Sequence, residues 1–84
     1  MSKNLYVGNL TFNTTNSDLE TLFAPHGEVS KAQVITDRDS GRSRGFGFVE
    51  MATSEGAQAA IDALDGSNVD GRALTVNVAK ERSR

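Results

Sequence analysis

RSRGFGFVEM, residues 42–51, sets glycine and phenylalanine in strict alternation inside a strand-like run. Side chains alternate across a strand, so Gly45, Gly47, Val49 and Met51 share one face. Arg44, Phe46, Phe48 and Glu50 share the other. Glycine weakens a strand interior and often marks close approach by a ligand or another backbone. The phenylalanines are the most hydrophobic side chains of the stretch, yet they lie on the charged face. Burying Arg44 and Glu50 without partners would cost several kcal/mol each. Val49 and Met51 therefore turn inward and Phe46 and Phe48 outward. The small Gly45 and Gly47 let a helix pack close to the strand.

The neighbouring segments agree with this choice. NLYVGNL (4–10) alternates around Leu5 and Val7, with Asn4, Tyr6 and Gly8 on the opposite face. ALTVNVA (73–79) sets Leu74, Val76 and Val78 against Ala73, Thr75, Asn77 and Ala79. EVSKAQVIT (28–36) is less clean, with Ala32 and Val34 opposing Lys31, Gln33 and Ile35. Between these strands lie two helical patterns. TTNSDLETLFAPHG (14–27) has Thr15 as N-cap, Asp18 as its box partner and a Leu19, Leu22, Phe23 stripe. Pro25 and Gly27 end it. TSEGAQAAIDALDG (53–66) is capped by Thr53, striped by Ala57, Ala60, Ile61 and Leu64, and stopped by Gly66. DRDSGRS (37–43) is a basic turn expected to be mobile, and NVDG (68–71) is a turn with the Asp-Gly signal.

The order is βαββαβ, a ferredoxin-like α+β pattern. Right-handed crossovers put both helices on one face of a four-stranded antiparallel sheet. The aliphatic faces of the first and last strands then point to the helices, joined by Phe12 and Phe23. We expect one domain over residues 1–84, with its core at about 4–80 and a polar, fraying tail at 81–84.

A chain of 84 residues buries roughly 60–65% of its unfolded surface, which leaves no room for a deep catalytic cleft. It has no cysteine, so disulfides and thiolate metal sites are excluded. No apolar run approaches the ~20 residues of a membrane span. The start, MSKNLYVGNL, has no signal-peptide hydrophobic region, which leads us to expect a cytoplasmic chain, or an organellar or nuclear one in a eukaryote. The triplets at Asn9 and Asn13 match the glycosylation acceptor, and without a secretion signal we read both as coincidental.

The net charge of −2 argues mildly against a nucleic-acid binder, but its distribution points the other way. Between Asn4 and Ser30 the only charges are Asp18, Glu20 and Glu28. Between Gly45 and Gly71 they are Glu50, Glu55, Asp62, Asp65 and Asp70. Folded as above, the helices carry most of the acids on one side, and Lys3, Lys31, Arg44, Lys80 and Arg82 surround the outward rings. Tyr6, Phe46 and Phe48 on an uncovered face form an exposed apolar patch, which usually means binding. The plainer explanation is cross-strand packing or a cover formed by the C-terminal tail. Rings for bases and basic groups for phosphates suit single-stranded nucleic acid. Asn4, Glu50 and Arg42 of the basic turn complete the candidate surface.

These residues carry a resemblance. RGFGFVEM closely matches the octapeptide K/R-G-F/Y-G/A-F-V-x-F/Y of the RNA recognition motif, and LYVGNL (5–10) resembles that family's companion hexapeptide. The likeness runs over about residues 4–80 and includes DRDSGRSRGFGFVE and the LDG…VDGRALTV segment. The chain is most similar to bacterial single-domain RNA-binding proteins and to domains of plant glycine-rich and chloroplast ones. The resemblance implies that Tyr6 and Phe48 each stack on a base, that Phe46 packs against sugars and that Arg44 pairs with a phosphate. Gln33, Asn77, Lys80 and nearby backbone groups would bond base edges. The octapeptide's last aromatic is Met51 here; an inward position makes this a core adjustment. The expected partner is single-stranded RNA, with single-stranded DNA left open, and the expected state is a monomer without cofactor, metal, membrane or small-molecule substrate.

Two other functions compete. Some domains of the family bind peptides, and those usually lack the sheet aromatics. An acyl-phosphate hydrolase on the same fold needs an arginine in the loop after the first strand, and GNLTFNTT has none. His26, the sole histidine, sits at a helix end and fits the dipole there better than catalysis. GRSRGFG lacks the Gly-Lys-Ser/Thr ending of a phosphate loop, and Asp37 and Asp39 lack the full calcium pattern.

Overall fold

Pairing of the third strand with both its neighbours organises the sheet. The computed structural model describes residues 3–69 and 71–79. Its strands β1 (Asn4–Gly8), β2 (Val29–Thr36), β3 (Ser43–Met51) and β6 (Thr75–Val78) form an antiparallel sheet in the order β2-β3-β1-β6. Helices α1 (Asn16–Phe23) and α2 (Ser54–Leu64) complete the ferredoxin-like pattern. The expected last strand, 73–79, is divided at Leu74: its start belongs to β5 (Arg72–Ala73), which pairs with β4 (Asn68–Val69), inside the expected turn 68–71, as a separate small hairpin before β6. Asp70 of the Asp-Gly signal lies outside the described residues, as do Lys80 and Arg82.

Both helices start at the expected caps. The Thr15 hydroxyl accepts from the Asp18 N–H at 3.2 Å, and the Asp18 carboxylate accepts from the Thr15 N–H at 3.0 Å. Thr53 accepts from the Gly56 N–H at 2.9 Å. Continuation of α1 is stopped by a single 3₁₀ turn, Ala24–His26, with Pro25 inside it. Gly27 then passes so near α2 that a Cβ on it would lie 2.9 Å from the Gly56 Cα.

One core lies between the helices and the sheet. Leu19 and Phe23 of α1 and Ala57, Ala60 and Leu64 of α2 pack on Leu5, Val7, Val34, Val49, Met51 and Val76. Met51 is fully buried, which fits its inward placement. Among the described residues, no polar or charged residue is buried. That is the arrangement expected where apolar burial, worth about 25 cal/mol per Å², drives folding.

Three expectations fail. Phe12 is 67% exposed, because it sits in the loop between β1 and α1, outside the layer that the helices cover. Val78 is 41% exposed, because it is the last residue of an edge strand. Gly45 does not admit a helix. Its φ of +85° is a left-handed conformation that glycine adopts without a Cβ penalty, and it sits in an irregularity of the β2–β3 ladder. Arg44, Gly45 and Phe46 stand opposite the single residue Ile35 there. Period-two counting therefore stops at Gly45 and does not assign the face of Arg44.

Candidate nucleic-acid interface

The sheet register builds the site. Tyr6 pairs with Phe48 across β1 and β3, Gln33 with Phe48 across β2 and β3, and Tyr6 with Asn77 across β1 and β6. Gln33, Phe48, Tyr6 and Asn77 thus form one row across all four strands, on the face away from the core. Phe46 stands opposite Gly8 on one side of the row. Asn4 and Lys31 both stand opposite Glu50 on the other side. This brings together seven of the expected residues in addition to Phe46.

The three rings touch each other as well as solvent. Tyr6 and Phe46 have centroids 5.9 Å apart, Tyr6 and Phe48 6.0 Å, and Phe46 and Phe48 6.1 Å in an edge-on arrangement. Such geometry holds aromatic pairs together by about 0.5–1.5 kcal/mol beyond area burial. The rings are therefore cross-strand pairs, as the plainer explanation required. They are also open, with Phe48 40% exposed and Tyr6 and Phe46 half-buried. A depression of about 300 Å³ lies beside Phe48, with Asn4, Lys31, Gln33, Glu50 and Ala79 among its walls. It combines an apolar ring, amides, a cation and a carboxylate, the groups that could meet a base edge and a phosphate.

Gly8 has a role that its position at a strand end does not advertise. A Cβ there would lie 2.6 Å from the Tyr6 hydroxyl and 2.8 Å from its ring. The tyrosine lies over the glycine, which lets its ring share the surface with Phe46 and Phe48. Substitution Gly8→Ala would rotate Tyr6 away, since the atoms in the way belong to a movable side chain. We expect a loss of affinity for single-stranded RNA of up to about 1–3 kcal/mol, the value of one stacked base, with the fold intact. Titration of the variant, alongside its circular dichroism, checks this.

Basic residues stand on both sides of the platform, Lys3 and Lys31 near Glu50 and Arg42 and Arg44 in the chain just ahead of Phe46. Lys3, Lys31, Arg42 and Arg44 are exposed. The turn that carries Arg42 is closed by hydrogen bonds of its own. Asp37 donates its N–H to the Arg42 carbonyl at 2.7 Å, and its own carbonyl accepts from Gly41 at 2.8 Å. The Asp37 carboxylate accepts from the Asp39 and Ser40 N–H groups at 2.8 and 3.2 Å. The Asp39 N–H foremost, then that of Ser40, holds the Asp37 carboxyl below its ordinary value, with a smaller pull from Arg44. Asn9 performs a similar service beyond β1. It adopts a φ of +61°, donates to the Ala73 carbonyl at 2.7 Å and accepts from Arg72 at 3.2 Å, tying the small hairpin to the sheet.

Comparison with known proteins agrees with this geometry. The family description "RNA recognition motif" matches residues 5–75. The RNA-binding protein CP31B, chloroplastic, of Arabidopsis thaliana is 54% identical over 95% of this chain. The chain spans only 28% of that relative's length. RbpE of Nostoc sp. is 51% identical over 93% of this chain and 79% of its own. Among solved structures, the RNA-binding protein PG1 superposes with a TM-score of 0.91 at 48% identity, covering 99% of this chain and 100% of that one. A Sex-lethal protein–RNA complex gives 0.86 at 37% identity, covering 92% of this chain and 47% of that one.

Proposed function

The chain belongs to the RNA recognition motif family, and from that premise we propose that it binds single-stranded RNA on the outer face of its sheet. The row Gln33–Phe48–Tyr6–Asn77, with three rings within 6.1 Å of one another, carries the reading. Tyr6 and Phe48 each stack a base, and Phe46 packs against sugars between two nucleotides. Arg44 meets a phosphate, with Lys3, Lys31 and Arg42 adding to the positive rim. Gln33, Asn77, Asn4 and Glu50 bond base edges, the carboxylate favouring exocyclic amino groups. Lys80 and Arg82 also contact the RNA in this proposal. The Sex-lethal protein–RNA complex, a neighbour of the same fold, supports RNA as the partner.

The module acts in this reading as a monomeric, non-catalytic binder in post-transcriptional RNA handling, without cofactor. RNA is the favoured partner, although stacking alone would also accept single-stranded DNA. The work takes place in the cytoplasm or in an organelle; the chloroplastic designation of CP31B supports the organelle. Titration of Tyr6 fluorescence with short random RNA at rising salt tests the proposal. Binding is expected, with a log–log salt slope near −2 if about three phosphates are engaged. Absence of binding at low salt would overturn it.

A further inference from the structure

Phe12 is the most exposed large hydrophobic residue among those described. It lines a groove of about 370 Å³ together with Asn13, Gly41, Arg42 and Ser43. One wall is the β1–α1 loop and the other is the β2–β3 turn, closed by the Asp37–Arg42 and Gly41–Asp37 backbone bonds. The groove adjoins the aromatic platform. The Phe12 ring stands 3.7 Å from where a Cβ of Gly45 would be, and Gly45 directly precedes Phe46. The Leu10 N–H donates to the Gly45 carbonyl at 2.8 Å, fastening the start of the loop to β3. An RNA strand that leaves the sheet past Phe46 thus meets this groove next.

The walls suit a nucleobase. Phe12 offers a ring for stacking and Arg42 a cation for the attached phosphate. The Asn13 amide and the Ser43 hydroxyl can bond a base edge, and no acidic side chain lines the groove. We propose that the groove is a further base subsite, in which a nucleotide beyond those on the sheet stacks on Phe12 with its phosphate at Arg42. The proposal rests on the sheet binding RNA, and it extends the strand by at least one nucleotide around the end of β3.

Two RNA lengths separate the subsite from the sheet. One oligonucleotide has about three nucleotides, enough for the platform rings, and the other about nine. In the Phe12→Ala variant, affinity for the longer RNA is expected to fall about 5- to 150-fold, the value of one stacked base. Affinity for the shorter RNA is expected to stay as in the wild type. The chain has no tryptophan, so Phe12→Trp places a single indole reporter in the groove. Its emission should be quenched by the longer RNA alone, with affinity retained. Equal binding of the longer RNA by the wild type and Phe12→Ala would overturn the subsite and leave the sheet reading standing. Failure of the wild type to bind either RNA would overturn both. An indole signal that follows protein concentration without RNA would make the groove a self-association surface and also overturn the subsite.

Discussion

A Phe46→Ala, Phe48→Ala double variant is expected to bind short single-stranded RNA at least about 5-fold more weakly than the wild type while remaining folded. The base stacked on Phe48 is worth about 1–3 kcal/mol, and loss of the sugar packing on Phe46 adds to it. The fold loses less. Phe48 is 40% exposed and Phe46 half-buried, and neither belongs to the buried cluster of Leu5, Leu19, Phe23 and Met51. Removing both rings abolishes all three ring pairs at 5.9–6.1 Å. At about 0.5–1.5 kcal/mol each, that is a measurable cost and one a folded domain can survive. Circular dichroism and a thermal melt establish the fold, and a fluorescence titration reads the affinity. Unchanged affinity in a folded double variant would sink the platform. Recovery of a stable protein partner by the same variant, with no RNA bound by the wild type, would favour a peptide-binding module instead.

The architecture and the aromatic row were legible for different reasons. Period-two alternation fixes faces wherever a strand is regular, so Leu5 and Val7, Val49 and Met51, and Leu74 and Val76 were readable as core. The caps were readable because Thr15 and Thr53 are short polar residues ahead of apolar stripes. Legibility ends where backbone conformation departs from the regular strand. Gly45 and Gly47 look alike in RGFGF, yet one is needed for its left-handed φ and the other for what presses against it. No single-chain pattern separates those causes. Phe12 looks like core in the sequence because hydrophobicity says what a side chain favours and not where a loop carries it. The reason for Gly8, the Tyr6 ring lying over it, is a side-chain contact with a residue two positions back that strand alternation does not reveal. The β4–β5 hairpin is made of two-residue strands, too short for any periodicity to register.

Gly47→Ala provides the strongest test of the packing behind the platform, because its expected sign opposes the usual one. Alanine in a strand interior ordinarily stabilises relative to glycine by roughly 0.5–1 kcal/mol, through the entropy of the unfolded chain. At position 47 a Cβ would lie 2.5 Å from the Gln33 carbonyl oxygen, 3.1 Å from the Val34 Cα and 3.2 Å from the Leu19 Cδ1. Leu19 can turn aside, but the other two atoms are backbone of the adjacent strand. Relief requires β2 to move from β3 at the Val34–Gly47 and Gln33–Phe48 pairs. Overpacking of this kind costs typically 1–3 kcal/mol, and the backbone clash places Gly47→Ala at about 2–3. For a domain of this size that lowers the melting temperature by roughly 10–20 °C. Gly47→Val should leave little folded protein at all. Shortening Leu19 in the Gly47→Ala background should bring no rescue, since the flexible neighbour is not the obstacle; the two costs should instead accumulate. Moving β2 also shifts Gln33 against Phe48, so the folded fraction of Gly47→Ala should bind RNA more weakly than the wild type. A neutral or stabilising Gly47→Ala would mean that β2 and β3 do not approach this closely, and the geometry of the row across the sheet would fall with that contact.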